Sequence, residues 1–261
     1  MRVTGARVRR CAGARVGACA GATVLAMIIA SATLTAQQPA GGRRGGGPPA
    51  VRTARQAAPI DITGNWVAFV TEDWRFRMIT PPKGDYTRVP LTPEGRKAAD
   101  AWDPAADTAA GNQCKAYGAG GIMRVPGRFR IAWQDDATLR VDSDAGMQTR
   151  MLRFAAAAPS RERTWQGDSR AQWDQAARSL RVATTNFRAG YLRRNGVPYS
   201  ETANITEHFD VAPHPDGSQI LVVTTIVEDP RYLQRPFIVS SHFKQDKDVS
   251  KWNPQPCAAV W

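Results

Sequence analysis

The alternation of apolar and polar positions is clearest between 218 and 243. Ile220, Val222, Thr224, Ile226 and Glu228 fall on one face, and Leu221, Val223, Thr225 and Val227 on the other. Apolar residues on both faces predict a strand covered on both sides, or nearly so. Beyond the Pro-bounded EDPRYLQRP connection, Phe237, Val239, Ser241 and Phe243 alternate with Ile238, Ser240, His242 and Lys244. The two runs predict a central β-hairpin. Residues 60–78 also alternate. Trp66, Ala68, Val70, Glu72, Trp74, Phe76 and Met78 share one face, which predicts one long strand, or two with a bend. Thr80-Pro81-Pro82-Lys83-Gly84 ends it.

Residues 91–102 predict the one helix. Thr92 suits the N-cap, Pro93 the first helical position and Glu94 the first turn, and Asp103-Pro104 stops it. Residues 105–127 read as irregular and Gly-rich. Short strands then follow at 128–134, 138–143, 147–154, 164–174, 179–187, 204–210, 219–228 and 236–244. Short, closely spaced strands with turn signals predict a mainly β fold. The expected architecture is an antiparallel up-and-down barrel of about 8–10 strands. It has one short helix as lid or plug and a long irregular segment after the first strand.

The first 58 residues do not fit this pattern. Residues 1–36 run from basic (Arg2, Arg7, Arg9, Arg10, Arg15) through an apolar stretch, 22–34, to small residues. That order predicts a secretory signal peptide cleaved after Ala32 or Ala36. The apolar stretch is shorter than the ~20 residues a membrane span needs. Residues 37–58, rich in Gly, Pro, Ala and Arg, predict a disordered tether. The expected organisation is therefore signal peptide 1–36, tether 37–58 and one domain over 59–261. The expected location is periplasmic or extracellular, with no transmembrane segment after cleavage.

This division changes the meaning of the charge. The chain carries +12, but nine of its 35 basic residues and none of its acidic ones lie in 1–58. Removing them leaves 26 basic against 23 acidic residues, or +3, over 59–261. Such a balance gives no case for a nucleic-acid partner. Of four cysteines, Cys114 and Cys257 remain after cleavage. In an oxidising compartment this single pair predicts a disulfide, with two free thiols as the alternative. Two cysteines without a nearby histidine do not make a metal ligand set, so no metal and no cofactor is expected.

Gly64-Asn65-Trp66 resembles the Gly-x-Trp opening of lipocalins and other calycin barrels. The phrases TEDWRFRMITPPKGDY, NQCKAYGAGGIMRVPGR, TWQGDSRAQW, ATTNFRAGYLRRNGVPYSE and TTIVEDPRYLQRPF span most of 60–260. In them the chain resembles an uncharacterised family of exported bacterial proteins with lipocalin-like β-barrels. The resemblance implies export and a barrel; it implies no reaction.

Candidate chemistry is sought where polar residues interrupt apolar faces. Glu72, Glu207 and Glu228 do so, with Arg77, Arg150, Arg153 and Arg188 as possible partners. In a lumen, desolvation raises a carboxylate's pKa unless an arginine pairs with it. Aromatics supply apolar walls: Trp66, Trp74, Trp133, Trp165, Trp173, Tyr191 and Tyr199. Residues 186–199 read as a loop at the barrel mouth, in which Arg193 and Arg194 suit a carboxylate or phosphate. The ligand-binding candidates are thus Glu72, Trp74, Arg77, Trp133, Arg150, Tyr191, Arg193, Tyr199, Glu207 and Glu228. The structural alternative is buried Glu–Arg pairs tying strands together and aromatics packed in a core.

Gly167-Asp168-Ser169 lacks the final glycine and the strand-to-helix setting of a nucleophile elbow. Gly118-Ala119-Gly120-Gly121 lacks the lysine of a phosphate loop. The first functional expectation is an exported barrel that binds a small apolar or aromatic molecule. The alternatives are an isomerase, lyase or hydrolase using lumen carboxylates, and a structural or partner-binding domain with a filled core.

Overall fold

The computed structural model of the chain describes residues 51–260. The expected signal peptide and residues 37–50 of the expected tether lie outside them. The described strands are β1 (Gly64–Ala68), β2 (Arg128–Asp135), β3 (Thr138–Ser143), β4 (Ala145–Gly146), β5 (Gln148–Arg153), β6 (Asp168–Asp174) and β7 (Ser179–Thr185). They continue with β8 (Gly190–Arg193), β9 (Val197–Tyr199), β10 (Asn204–Pro213), β11 (Gln219–Glu228), β12 (Phe237–Gln245) and β13 (Gln255–Pro256). Nine of them close a barrel in the order β1-β12-β11-β10-β7-β6-β5-β3-β2. The predicted closed barrel is present, with β3 and β11 at the expected bounds.

One seam departs from the antiparallel expectation. β5 and β6 pair in parallel, through Leu152↔Ser169 and Arg153↔Arg170. Alternation looks the same in either direction; the connection decides. Here 154–167 runs back along the barrel before β6 begins, as parallel neighbours require.

The strand expected over 60–78 is also shorter. β1 ends at Ala68, and Asp73 adopts a left-handed conformation (φ 53°), which Asp tolerates better than most residues. A short helix, α1 (Trp74–Arg77), follows. The expected helix is α2 (Pro93–Asp100), capped by the Thr92 side chain accepting from the Gly95 amide at 3.0 Å. The Asp103-Pro104 pair that stops it starts α3 (Pro104–Ala109), where the Asp103 carboxylate accepts from the Ala105 and Ala106 amides. Acceptors at N-caps favour both helices. The expectation of a single helix is thereby corrected.

Inward positions alternate with outward ones along each barrel strand. Ile131, Val141, Leu152, Leu180, Val182, Phe209, Leu221, Val223 and Phe243 are buried and pack with Trp66 and Phe129 in one core. The outer face of β11 (Ile220, Val222, Thr224, Ile226) is only half-buried, so that strand is covered on one side, not two. One end of the barrel is plugged by residues 116–125: Ala116, Tyr117, Ile122, Met123 and Val125 join the core. The plug is therefore this Gly-rich segment rather than α2. Tyr199 shows why it is Gly-rich. A Cβ on Gly118 would sit 2.3 Å from the Tyr199 hydroxyl oxygen, and one on Gly120 2.9 Å from its ring. Cys114, beside the plug, is bonded to Cys257 across a sequence separation of 143. Among the described residues no helix is long and apolar enough to cross a membrane.

Candidate functional site

Three groups of polar or aromatic side chains stand out, in different parts of the barrel. The first lies inside it. Arg150 on β5 donates to both carboxylate oxygens of Glu207 on β10, at 3.1 and 2.6 Å. Its Nη2 also reaches Ser169 and Thr184 at 3.2 Å, and those hydroxyls lie 2.9 Å apart. The side chains of Arg150 and Glu207 are 2 % and 0 % exposed. The same inward period that makes β10 apolar carries Glu207 into the core, between Ile205 and Phe209. Four strands supply the group, which ties them together where water is excluded.

The second group is at the plugged end. Glu72 bonds Arg77, and its other oxygen lies 3.2 Å from His242 Nδ1. Asp73 bonds Arg124 at 2.9 Å and lies 4.0 Å from Arg193. Arg193 Nη1 donates to the Thr87 carbonyl at 2.8 Å, and its guanidinium stacks over the Phe76 ring at 4.0 Å. Arg194 donates to the Arg77 carbonyl. Burial pushes Arg193 down to about 10 and Arg194 to about 9, with the charge of Arg124 adding to both depressions; both stay cationic at neutral pH. The 186–199 loop expected at an open mouth instead forms the β8–β9 hairpin, and 192–200 are buried.

The third group is at the opposite end, where the hairpin turns of β2–β3, β6–β7 and β10–β11 lie. Trp133, Phe154 and Trp173 continue the inward-facing rows of β2, β5 and β6 and cluster, with ring centroids 5.2–6.5 Å apart. Each is half-buried. Residues 51–63 run along this end. The Trp173 indole donates to the Ala54 carbonyl at 2.8 Å, Gln175 to that of Ala57 at 2.9 Å, and the Arg55 amide to that of Asp136 at 3.1 Å. Between this strap and the tryptophans lies an open pocket of about 470 Å³, walled by Ile60, Ile62, Trp133, Leu139 and Trp173. Arg55, Arg178 and Asp61 stand exposed on its edge.

The sequence candidates are thus dispersed. Arg150 meets Glu207; Glu72, Arg77 and Arg193 meet at the plug; Trp133 lines the mouth. Glu228 is exposed on the outer face, and Trp74 is 66 % exposed on α1, so neither enters a lumen. Tyr191 donates to Asp107 at 2.6 Å; burial and that bond raise its pKa well above the ordinary value. Tyr199 is fully buried against the plug. Sequence reasoning missed Arg124 and Asp73, which carried no lumen-like pattern. It also missed Arg55, Arg178 and Asp61, which reach the mouth only through the strap and a turn. Trp173 was already among the aromatics expected to wall a pocket, and Phe154 was detectable as the last member of the inward row of β5.

No family model, curated protein or solved structure matches this chain.

Proposed function

We propose that this chain is an exported binding module that takes a small aromatic or apolar anion at the open mouth of its barrel. The observation that carries the reading is the pairing of a filled interior with an aromatic-walled mouth. The barrel's core side chains leave the Arg150–Glu207 pair sealed, whereas the 470 Å³ pocket between strap and tryptophans is ligand-sized. Trp133 and Trp173 offer ring faces, and Arg55 and Arg178 outnumber Asp61 at the edge. The lumen-carboxylate enzyme reading lacks an accessible carboxylate, because Glu207 is fully buried and bonded on both oxygens. Export rests on the basic-apolar-small order of 1–36 and on the disulfide.

The test uses 1-anilinonaphthalene-8-sulfonate, an aromatic anion, titrated into the native disulfide-bonded protein. Saturable binding is expected, weakened about tenfold by Trp173→Ala and less by Arg178→Ala. Arg188→Ala, at a distant exposed site, is expected to bind as the wild type does. No saturable binding, or equal affinity in all variants, overturns the proposal.

A further inference from the structure

The turn of α1 turns its apolar side chains outward. Phe76 and Arg77 fix its roll by facing the plug. Arg193 stacks over the Phe76 ring at 4.0 Å, and Arg77 Nε donates to the Arg124 carbonyl at 3.0 Å. The Met78 amide donates to the Trp74 carbonyl at 2.8 Å, so Trp74 and Met78 share the face away from the plug. Trp74, Met78 and the following Ile79 are 66, 51 and 56 % exposed. Single exposed hydrophobics are ordinary on a protein surface, but three within six positions form a patch.

The charge beside this patch has one sign where it meets solvent. The side chains of Arg75 and Arg88 are 61 and 78 % exposed, and Lys83 is exposed between them in sequence. The nearby carboxylates are turned in and engaged. Glu72 is held by Arg77, Asp73 by Arg124 at 2.9 Å and Asp85 by Arg75 at 2.6 Å, and their side chains are only 11–26 % exposed. An outward tryptophan with aliphatic neighbours and a cationic rim suits the boundary between acyl chains and anionic headgroups. We infer that this turn docks on the surface of an anionic lipid bilayer, with Trp74, Met78 and Ile79 entering the headgroup layer and Arg75, Lys83 and Arg88 meeting its phosphates. A second copy of the chain fits less well, because a symmetric contact through this patch sets the same cations against each other. The patch is at the plugged end, opposite the mouth pocket, and stands or falls without it.

The test uses the full disulfide-bonded chain and vesicles of phosphatidylcholine with about one-third phosphatidylglycerol, part of whose acyl chains carry bromine. Co-sedimentation with the vesicles and quenching of tryptophan fluorescence are expected. Trp74→Phe, which keeps an apolar ring, is expected to stay bound and to lose most of the quenching. Trp74→Ser/Met78→Ser, at two exposed positions, is expected to cut partitioning about tenfold, and Lys83→Gln and Arg88→Gln about fivefold each. Quenching that survives Trp74→Phe overturns the inference. So does partitioning that Trp74→Ser/Met78→Ser leaves unchanged, the result expected if the basic residues of 1–58 alone hold the vesicle. Absence of co-sedimentation also overturns it, and a dimer lost in that double variant would assign the patch to a second copy instead.

Discussion

Glu207 and Arg150 are each intelligible only through the other. Removing one partner leaves a charge or strong donor in a dry interior, which typically costs about 3–5 kcal/mol. Glu207→Leu alone is expected to destabilise by that order, read as the shift in urea midpoint, and Arg150→Met combined with it to recover most of the loss. If the single and double variants are equally unstable, the pair is not the source of the cost. Tyr199 gives an opposite expectation. Among the described residues its buried hydroxyl finds no acceptor for its proton and has only the Gly120 amide as a nearby donor, and burial raises its pKa above the ordinary value. Tyr199→Phe is therefore expected to stabilise, by up to about 1–2 kcal/mol. A loss of stability would show that the hydroxyl is bonded after all. At this scale the sequence was informative where a strand persisted. Glu207 was legible as an inward carboxylate because β10 continues past it. Glu72 was misread because the strand breaks at Ala68, five residues before the left-handed Asp73.

Among elements, the 154–167 connection sets the one parallel seam. It is anchored at Asp168, which accepts from the Ser160 amide and hydroxyl at 2.8 and 2.6 Å and from the Asn186 amide nitrogen at 2.9 Å. Partial burial pulls the Asp168 pKa up, but these bonds together outweigh it and hold the group below its usual 3.8. A carboxyl with a depressed native pKa binds its proton more readily once released. The anchoring is then fully present above about 3.8 and lost as pH falls below it through the native value. Hydrogen exchange at the Ser160 amide is expected to accelerate below that pH, beyond the intrinsic rate, and Asp168→Asn to remove the acceleration. An unchanged protection factor down to low pH would discount the anchor. The parallel seam itself was not readable beforehand, because alternation carries no direction. The α2 cap was readable, since Thr92-Pro93-Glu94 states its geometry locally.

At the scale of the domain, the described residues form a filled barrel, plugged at one end and open at the other. The Cys114–Cys257 bond ties the plug to the C-terminal segment across 143 positions. Closing a loop of that length contributes about 5 kcal/mol in the chain-entropy account. The double variant Cys114→Ser/Cys257→Ser is expected to lose stability of that order in urea unfolding; a loss near zero would mean that the chain ends are held by packing alone. The barrel class and the disulfide were legible from strand spacing and cysteine count. The filled lumen was not, because the plug comes from 116–125, whose Gly-rich composition reads as loop until Tyr199 is seen packed against it. The mouth, by contrast, is where a ligand has room. The most direct measurement is amide and indole chemical-shift mapping of the full chain with 1-anilinonaphthalene-8-sulfonate. The account predicts shifts confined to 51–63, to the turn near Arg178 and to the Trp133 and Trp173 indoles, the latter hydrogen-bonded to the strap through Ala54. Shifts centred on the Arg150–Glu207 region, or none at saturating probe, would contradict it.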